Sequence, residues 1–374
     1  MKVLLMYITE VSGHHQASKA IEKALKDLDP SVETSRVNGF EFAYPIIEKI
    51  INKAYMGVIK RTPKIWDYLY DNPKIVKRTQ SIKEAIHKSK HEKLAKLFGQ
   101  FQPDAVICTQ AFPCGLFADF KKTYRLKTTL IGVLTDHAPH SYWLNDSVDY
   151  FIVPSQEARE RFLKEGIPQE RIKLFGIPID PKFTKTLDRD AIVSDLGLDP
   201  AIPTILIMGG GQGLGPIKNI VKSLNKIETA FQLIVVAGTN KKLIKWLKKI
   251  HFKSPRKILI FEYADNIDEL MEVSTLAVTK AGGLTTAESL AKGLPLVIVK
   301  PIPGQEERNT DFFIKNGMAV RVNHVKDVGQ EIDILLKTPE RLLAMRQAAL
   351  DKSRTHASYD IAKLVLSNVS PVYV

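Results

Sequence analysis

The feature that most constrains this chain is an alternation of buried-type strands with amphipathic helical segments, repeated in two halves. Runs rich in Val, Ile and Leu recur as "KVLLMYIT", "AVICT" and "TLIGVLT" in the first half, and as "TILIMGGG", "FQLIVVAG" and "PLVIVKPI" in the second. This alternation is typical of parallel α/β sheets covered by helices. A chain of 374 residues is too long for one compact core. We therefore predict an α/β protein with two Rossmann-like, doubly wound parallel-sheet domains facing across a cleft.

The predicted boundary between the two halves is the segment "GIPIDPKF", in which prolines end a strand and a more polar stretch follows. It divides the chain into a first domain of residues 1–178, a second of residues 179–355, and a C-terminal helix within residues 356–374. The apolar face of that helix is expected to pack back on the first domain. Because ligands bind outside the carboxyl ends of parallel strands, the cleft is the expected site.

The composition excludes several classes of protein. Hydrophobic residues make up 44% and charged residues 25% of the chain, as in ordinary globular proteins. The apolar runs are far shorter than the roughly 18 residues that span a bilayer. "MKVLLMYITE" ends in an acid and fits a first β-strand better than a signal peptide. Cys108 and Cys114 are too few for a disulfide framework, which indicates reduced thiols in the cytoplasm.

The charge balance points to an anionic partner. The net charge is +13, and residues 40–100 hold 13 Lys and Arg against 6 Asp and Glu, interleaved with apolar and aromatic side chains. Such a segment fits a helix at a membrane interface and fits a solvated basic face equally well. No nucleic-acid-binding motif accompanies the charge, so we expect no nucleic-acid partner.

A glycine-rich turn follows the first strand of the second half. "MGGGQGLG" places five glycines within seven positions before a helix, and both the close backbone approach and the helix N-terminus favour phosphate. A strand-to-helix turn that binds no ligand would need fewer glycines, so the sequence predicts phosphate binding at this turn. The spacing matches neither the dinucleotide fingerprint nor the P-loop, so hydride transfer and nucleotide hydrolysis are disfavoured.

The same geometry recurs in "VTKAGGLTTAESL", where a glycine pair and two hydroxyls precede Glu288 in the first helical turn. The Glu288 carboxylate there either stabilises the helix N-terminus or accepts hydrogen bonds from ribose hydroxyls. The following strand leads into Pro303, Gly304, Gln305 and Glu306. Amide and carboxylate groups of this kind suit sugar hydroxyls.

These segments carry a family resemblance. "KAGGLTTAESLAKGLPLVIVKPIPGQEERNTDFF", "SGHHQAS" and "TDHAPHSYWL" resemble the processive diacylglycerol glucosyltransferases and the plant monogalactosyldiacylglycerol synthases of glycosyltransferase family 28. The resemblance implies the GT-B fold, a UDP-glucose or UDP-galactose donor, and inverting transfer of the hexose to 1,2-diacylglycerol. It also implies a peripheral enzyme on the inner face of the cell membrane, in contact with anionic lipids. No metal or other cofactor is expected.

The resemblance also assigns residues. His14 is the general base, Asp136 orients or polarises it, and His15 is a loop neighbour. Glu288 holds the ribose, Gln305 and Glu306 contact the hexose, and Glu262 and Tyr263 lie along the uracil. The expected donor-binding set is Gly13, Gly209, Gly210, Gly211, Gly213, Gly238, Asn240, Tyr263, Gly282, Gly283, Leu284, Thr285, Glu288, Gly304, Gln305 and Glu306. The expected acceptor and membrane set is His140, Trp143, Trp66, Lys60 and Arg61.

Rival interpretations stay open at this point. One is a transferase acting on a polyprenyl-diphosphate-linked sugar, and another is a non-catalytic UDP-sugar sensor at the membrane. A nucleotide-dependent oxidoreductase would rest on the glycine loop alone. The sequence assigns neither the hexose nor an oligomeric state.

Overall fold

The computed structural model describes residues 1–39, 91–137, 141–251 and 256–368. The chain forms two compact units. The first comprises Met1–Pro181, Pro303–Gln305 and the chain from Arg354, and the second comprises Lys182–Ile302 and Glu306–Ser353.

The first unit is built on a six-stranded parallel sheet with the order β2-β1-β3-β4-β5-β6. Its strands are β1 (Lys2–Tyr7), β2 (Glu33–Asn38), β3 (Ala105–Cys108), β4 (Thr129–Val133), β5 (Tyr150–Ile152) and β6 (Ile172–Lys173). Among its described residues, the α-helices that precede β6 are α1 (Gly13–Leu28), α2 (His91–Phe101), α3 (Ala111–Tyr124) and α4 (Gln156–Lys164). The strand order reverses between β1 and β3, so a crevice is expected at the carboxyl ends of these two strands.

The second unit contains a six-stranded parallel sheet with the order β12-β11-β10-β7-β8-β9. Its strands are β7 (Thr204–Met208), β8 (Gln232–Val236), β9 (Ile258–Phe261), β10 (Leu276–Thr279), β11 (Leu296–Val299) and β12 (Ala319–Val322). The helices along this stretch are α5 (Arg189–Asp195), α6 (Ile217–Leu224), α7 (Lys241–His251), α8 (Ile267–Glu272), α9 (Gly283–Ala291), α10 (Gln305–Lys315), α11 (Val328–Leu336) and α12 (Pro339–Lys352). Here the order reverses between β7 and β10.

The last helix, α13 (Ala357–Asn368), belongs to the first unit. Its Ile361, Ala362 and Val365 are fully buried in one apolar cluster with side chains of β1 and α1, including Val3 and Ile21. Burial of these side chains fixes the end of the chain to the first sheet through the hydrophobic effect. None of the helices in the described part of the chain combines the length and the apolar content needed to cross a bilayer.

Candidate functional site

The two neighbouring histidines follow β1, at the first switch point. Helix α1 begins at Gly13, and the hydroxyl oxygen of Ser12 caps it by accepting a hydrogen bond from the His15 backbone N–H at 3.2 Å. The same hydroxyl donates to the carbonyl oxygen of Thr9, at 2.6 Å. Capping by serine satisfies a free N–H of the first turn. His14 and His15 therefore lie in the first helical turn, and the expectation that His15 is a loop residue is wrong.

The hydrogen bonds of His14 fix its tautomer. Its Nδ1 lies 2.9 Å from the backbone oxygen of Thr109 and 2.9 Å from the Thr135 hydroxyl oxygen. The Thr109 hydroxyl in turn donates to the His14 backbone oxygen at 2.9 Å. Because a carbonyl oxygen only accepts, the proton of the neutral ring is assigned to Nδ1. The lone pair of the imidazole is then on Nε2, the atom that can act as a base.

The surroundings of His14 also set its charge. Burial lowers the pKa of His14, while the Asp136 carboxylate and the hydrogen bond to Thr109 oppose that shift. Desolvation disfavours the imidazolium form. A neutral His14 at pH 7 carries the unprotonated Nε2 that general base catalysis requires.

His15 has a different environment. Its ring is 6% exposed and stacks on Tyr7 with the ring centroids 4.3 Å apart. Its Nδ1 donates to the Glu10 backbone oxygen at 2.6 Å, and its Nε2 accepts from Arg36 Nη1 at 2.9 Å. Arg36 also pairs with Glu22 of α1, at 2.9 Å. Both ring nitrogens are therefore used to join β1, β2 and α1.

The predicted acceptor and membrane residues are placed only in part. Trp143 is 5% exposed, belongs to the apolar core of the first unit, and lies against Gly132 of β4. A buried ring of this kind offers little surface to lipid, so a contribution of Trp143 to the acceptor entrance stays a prediction. The remaining members of that set lie outside the described residues: Lys60, Arg61, Trp66 and His140.

In the second unit, the glycine-rich loop between β7 and α6 is closely packed on its own backbone. A Cβ on Gly209 would lie 2.0 Å from the Leu214 backbone oxygen, and a Cβ on Gly213 would lie 1.9 Å from that of Ala237. A Cβ on Gly238 would be 2.4 Å from a backbone oxygen of the same loop. Such approaches admit only glycine. Close packing therefore accounts for Gly209 and Gly213, two of the five loop glycines, without a ligand.

Other parts of the loop stay open. Gly210 and Gly215 both have positive φ, and a Cβ on either would meet nothing within 4 Å. Gly211 is exposed. Asn240, just before α7, donates from Nδ2 to the Gly213 backbone oxygen at 3.1 Å and so braces the loop from β8.

The second switch-point strand, β10, leads into α9. Gly282 is the N-cap of this helix, and no side chain caps it. The backbone N–H groups of the first turn, Gly283, Leu284 and Thr285, consequently lack acceptors within the helix. Free N–H groups and the helix dipole favour an anion at this position.

Two further predicted residues, Glu288 and Tyr263, interact electrostatically at α9. Glu288 lies in this helix and is half-buried. Burial, together with the negative charges of Asp265 and Glu288, raises the pKa of Tyr263. Tyr263 itself is 49% exposed. An exposed ring beside a carboxylate provides a face for a flat base and an acceptor for hydroxyl groups.

An ion pair beside the same helix was not found from the sequence. Lys280, directly after β10, pairs with Glu306 in the first turn of α10. The other Glu306 oxygen accepts a hydrogen bond from the Ile302 backbone N–H at 2.8 Å. Gln305 begins the helix, and Gly304 before it has a φ of 91°. The one feature of the sequence that could have indicated this ion pair is the position of Lys280, two residues before the glycine pair Gly282 and Gly283.

Comparison with known proteins identifies the family. Residues 14–179 match the model of monogalactosyldiacylglycerol (MGDG) synthase, and residues 204–365 match the model of the glycosyltransferase family 28 C-terminal domain. The chain belongs to glycosyltransferase family 28. The resemblance seen in the sequence is thereby confirmed.

Relatives of this family 28 chain match along its whole length. The processive diacylglycerol beta-glucosyltransferase of Bacillus subtilis (strain 168) is 27% identical over 370 residues, covering 98% of this chain and 94% of that protein. The protein of the same name from Bacillus licheniformis is 29% identical over 375 residues, covering 99% and 92%.

Solved structures confirm the fold of this family 28 member. Acinetobacter baumannii MurG has a TM-score of 0.67 at 14% identity, covering 98% of this chain and 99% of that one. Staphylococcus aureus MnaA in its UDP co-structure has a TM-score of 0.63 at 15% identity, covering 96% and 94%. The predicted two-domain α/β GT-B fold is correct.

The structure thus brings the predicted residues together in two groups. In the first unit, His14 follows β1 at the β1/β3 switch point, and Asp136, which follows β4, is close enough to affect the charge of His14. In the second, the glycine loop and the start of α9 follow β7 and β10, the adjacent strands at which the order reverses. Among the described residues, no group of three or more His, Cys, Asp and Glu side chains is arranged to hold a metal ion.

Proposed function

We propose that the protein transfers a hexose from a UDP-sugar to the hydroxyl of 1,2-diacylglycerol, with inversion at the anomeric carbon. Relatives covering almost the whole chain are named processive diacylglycerol beta-glucosyltransferases, which supports glucose as the hexose and diacylglycerol as the acceptor. The observation that carries the chemistry is the half-buried His14, whose Nδ1 is held by the Thr109 carbonyl.

In the proposed reaction, His14 acts as the general base. Nε2 takes the proton from the acceptor hydroxyl while the hydroxyl oxygen forms a bond to the anomeric carbon. The bond from that carbon to the UDP oxygen breaks on the opposite face, and UDP leaves with the electron pair. The Asp136 carboxylate stabilises the imidazolium that results, since it favours the charged ring.

The second unit is proposed to bind the donor. The free N–H groups at the start of α9 bind the diphosphate and stabilise the negative charge that develops on UDP, with the open part of the glycine loop beside them. Glu288 accepts hydrogen bonds from the ribose, Tyr263 lies along the uracil, and Gln305 contacts the hexose. The backbone needs no metal ion for this role, and we propose that none takes part.

The proposed location is the inner face of the cell membrane. The basic and aromatic segment of residues 44–101 would attach the protein to anionic lipid, and the net charge of +13 supports this attraction. The described part of that segment, α2, exposes Lys93 and Lys96. Attachment of this kind weakens as salt rises.

The decisive experiment supplies radiolabelled UDP-glucose or UDP-galactose together with diacylglycerol in anionic vesicles and separates the lipid products by chromatography. We expect labelled glycolipid from UDP-glucose, unchanged by EDTA and lost in His14→Gln. A parallel reaction with a polyprenyl-diphosphate-linked sugar tests the other acceptor class. Labelled product from that acceptor alone, or from neither acceptor with either donor, would refute the proposal.

A further inference from the structure

The Glu306 carboxylate is committed to contacts inside the second unit. One oxygen pairs with the Lys280 ammonium, and the other accepts the Ile302 N–H at 2.8 Å. The side chain is only 10% exposed. A carboxylate with both oxygens engaged and little exposed surface is poorly placed to bind a hexose hydroxyl as well.

Lys280, in contrast, faces the start of α9. Its Nζ and the paired Glu306 oxygen each lie 3.9 Å from the position that a Cβ on Gly282 would occupy. Gly282 is the uncapped N-cap residue of the helix. The Lys280 side chain is 22% exposed, and an ammonium group has three N–H donors, so the pair with Glu306 leaves donors for a second anion.

We propose that Glu306 is a positioning residue: it holds the Lys280 ammonium beside the N-terminus of α9, where Lys280 binds the donor diphosphate. This inference rests on the proposed function, because it takes the UDP-sugar as the ligand. It replaces the assignment of Glu306 to the hexose and adds Lys280 to the donor site.

The pairing accounts for the cost of a buried acid. An ionised carboxylate that is little exposed needs a charged partner and hydrogen bonds. Glu306 has both, and through the Ile302 N–H it also anchors the turn that leads into α10. In this arrangement, the ammonium is fixed before the donor binds, so little side-chain ordering is required during binding.

The test compares UDP with UDP-glucose by titration calorimetry on the full chain, because UDP lacks the hexose. We expect Glu306→Gln to weaken the binding of both ligands by a similar factor, about tenfold, through loss of the charge-assisted contact. If Glu306 bound the hexose instead, UDP affinity would be unchanged and only UDP-glucose would bind more weakly. That result would overturn the proposal.

A double variant guards against loss of folding. Lys280→Met alone leaves a buried carboxylate without its cation, whereas Lys280→Met with Glu306→Gln removes both charges and should fold. We expect the double variant to bind UDP at least tenfold more weakly, and Lys280→Arg to retain most of the affinity because it keeps the cation. A folded double variant with wild-type UDP affinity would show that the pair is only structural.

The neighbouring acid supplies a matched control. Glu307 pairs with Arg321 at 2.7 Å near the surface of the same unit. Glu307→Gln should leave the affinity for both ligands unchanged. If the wild-type protein bound no UDP, the proposed function and this inference would fail together, whereas wild-type binding that the Lys280 and Glu306 variants do not alter would refute this inference alone.

Discussion

Replacing each of the two adjacent histidines by glutamine separates catalysis from stability. In His14→Gln the base is lost, and general base catalysis contributes about 10²- to 10⁴-fold to rate, so kcat should fall by that factor. The unfolding free energy should change by less than about 1 kcal/mol, because the amide of glutamine can still donate to the Thr109 carbonyl.

His15→Gln should give the opposite pattern. It removes the ring stacked on Tyr7 and disturbs the hydrogen bonds of both ring nitrogens, to the Glu10 carbonyl and from Arg36. At about 1 kcal/mol for each hydrogen bond and for the stack, the expected loss is about 2 to 3 kcal/mol. For a unit of this size, Tm should fall by about 5 to 10 °C.

The two variants are compared by initial rates of glycolipid formation at saturating donor and by thermal unfolding followed by circular dichroism. Rates are measured well below the Tm of the weaker variant, so that both proteins are folded. If folded His15→Gln lost more than a hundredfold in kcat while His14→Gln kept more than a tenth of wild-type activity, the assigned roles would be reversed.

Three further predictions follow from single groups. Because burial lowers the pKa of His14, kcat/KM should be constant near pH 7 and decrease only below about pH 6.5. Asp136→Asn removes a charge that raises this pKa, so the decrease should occur at lower pH in the variant. Identical pH–rate profiles for the two proteins would contradict this prediction. Gly213→Ala should cost at least about 2 kcal/mol more than Gly210→Ala in urea unfolding, since both positions have positive φ but only the new Cβ at Gly213 would lie 1.9 Å from a carbonyl oxygen. Equal losses would contradict the close packing. Burial lowers the pKa of His137 to about 3, so its contribution to stability is complete above about pH 6.5 and decreases by about 2 to 3 kcal/mol between pH 6 and 4. In His137→Gln, the free energy of unfolding measured in urea should decrease less over that range. An equal decrease in the variant and the wild-type protein would contradict this prediction.

The central strands were predictable because of their environment. Parallel strands covered on both faces read as continuous apolar runs, as β7 and β10 do, with every residue buried. The edge strands lack this signal: β2 reads "ETSRVN" with one buried residue, and in β12 only the two end residues are buried. The apolar pattern therefore predicts neither strand. The edge strand β6 comprises only two residues, too few for an apolar pattern to define it.

The candidate site was predictable as a set of segments and not as a set of contacts. The resemblance pointed to His14 and to the segment containing Glu306. The contacts of Glu306 with Lys280, 26 residues earlier, and with the Ile302 backbone become visible only once β10, β11 and α10 are packed. The spacing of residues along the chain does not predict such contacts.

The two doubly wound sheets could be predicted from the sequence, since the periodicity of strands and helices is local and each continuous apolar run indicates a strand buried on both faces. The sequence also determined which segments follow the strands at the switch points. The different surroundings of the two histidines become visible only in the tertiary structure. The backbone oxygen of Thr109, 95 residues away in the chain, fixes the His14 tautomer, and Arg36 of β2 donates a hydrogen bond to His15. The two side chains are chemically identical and adjacent, so their difference comes entirely from the distant groups that folding places around each ring.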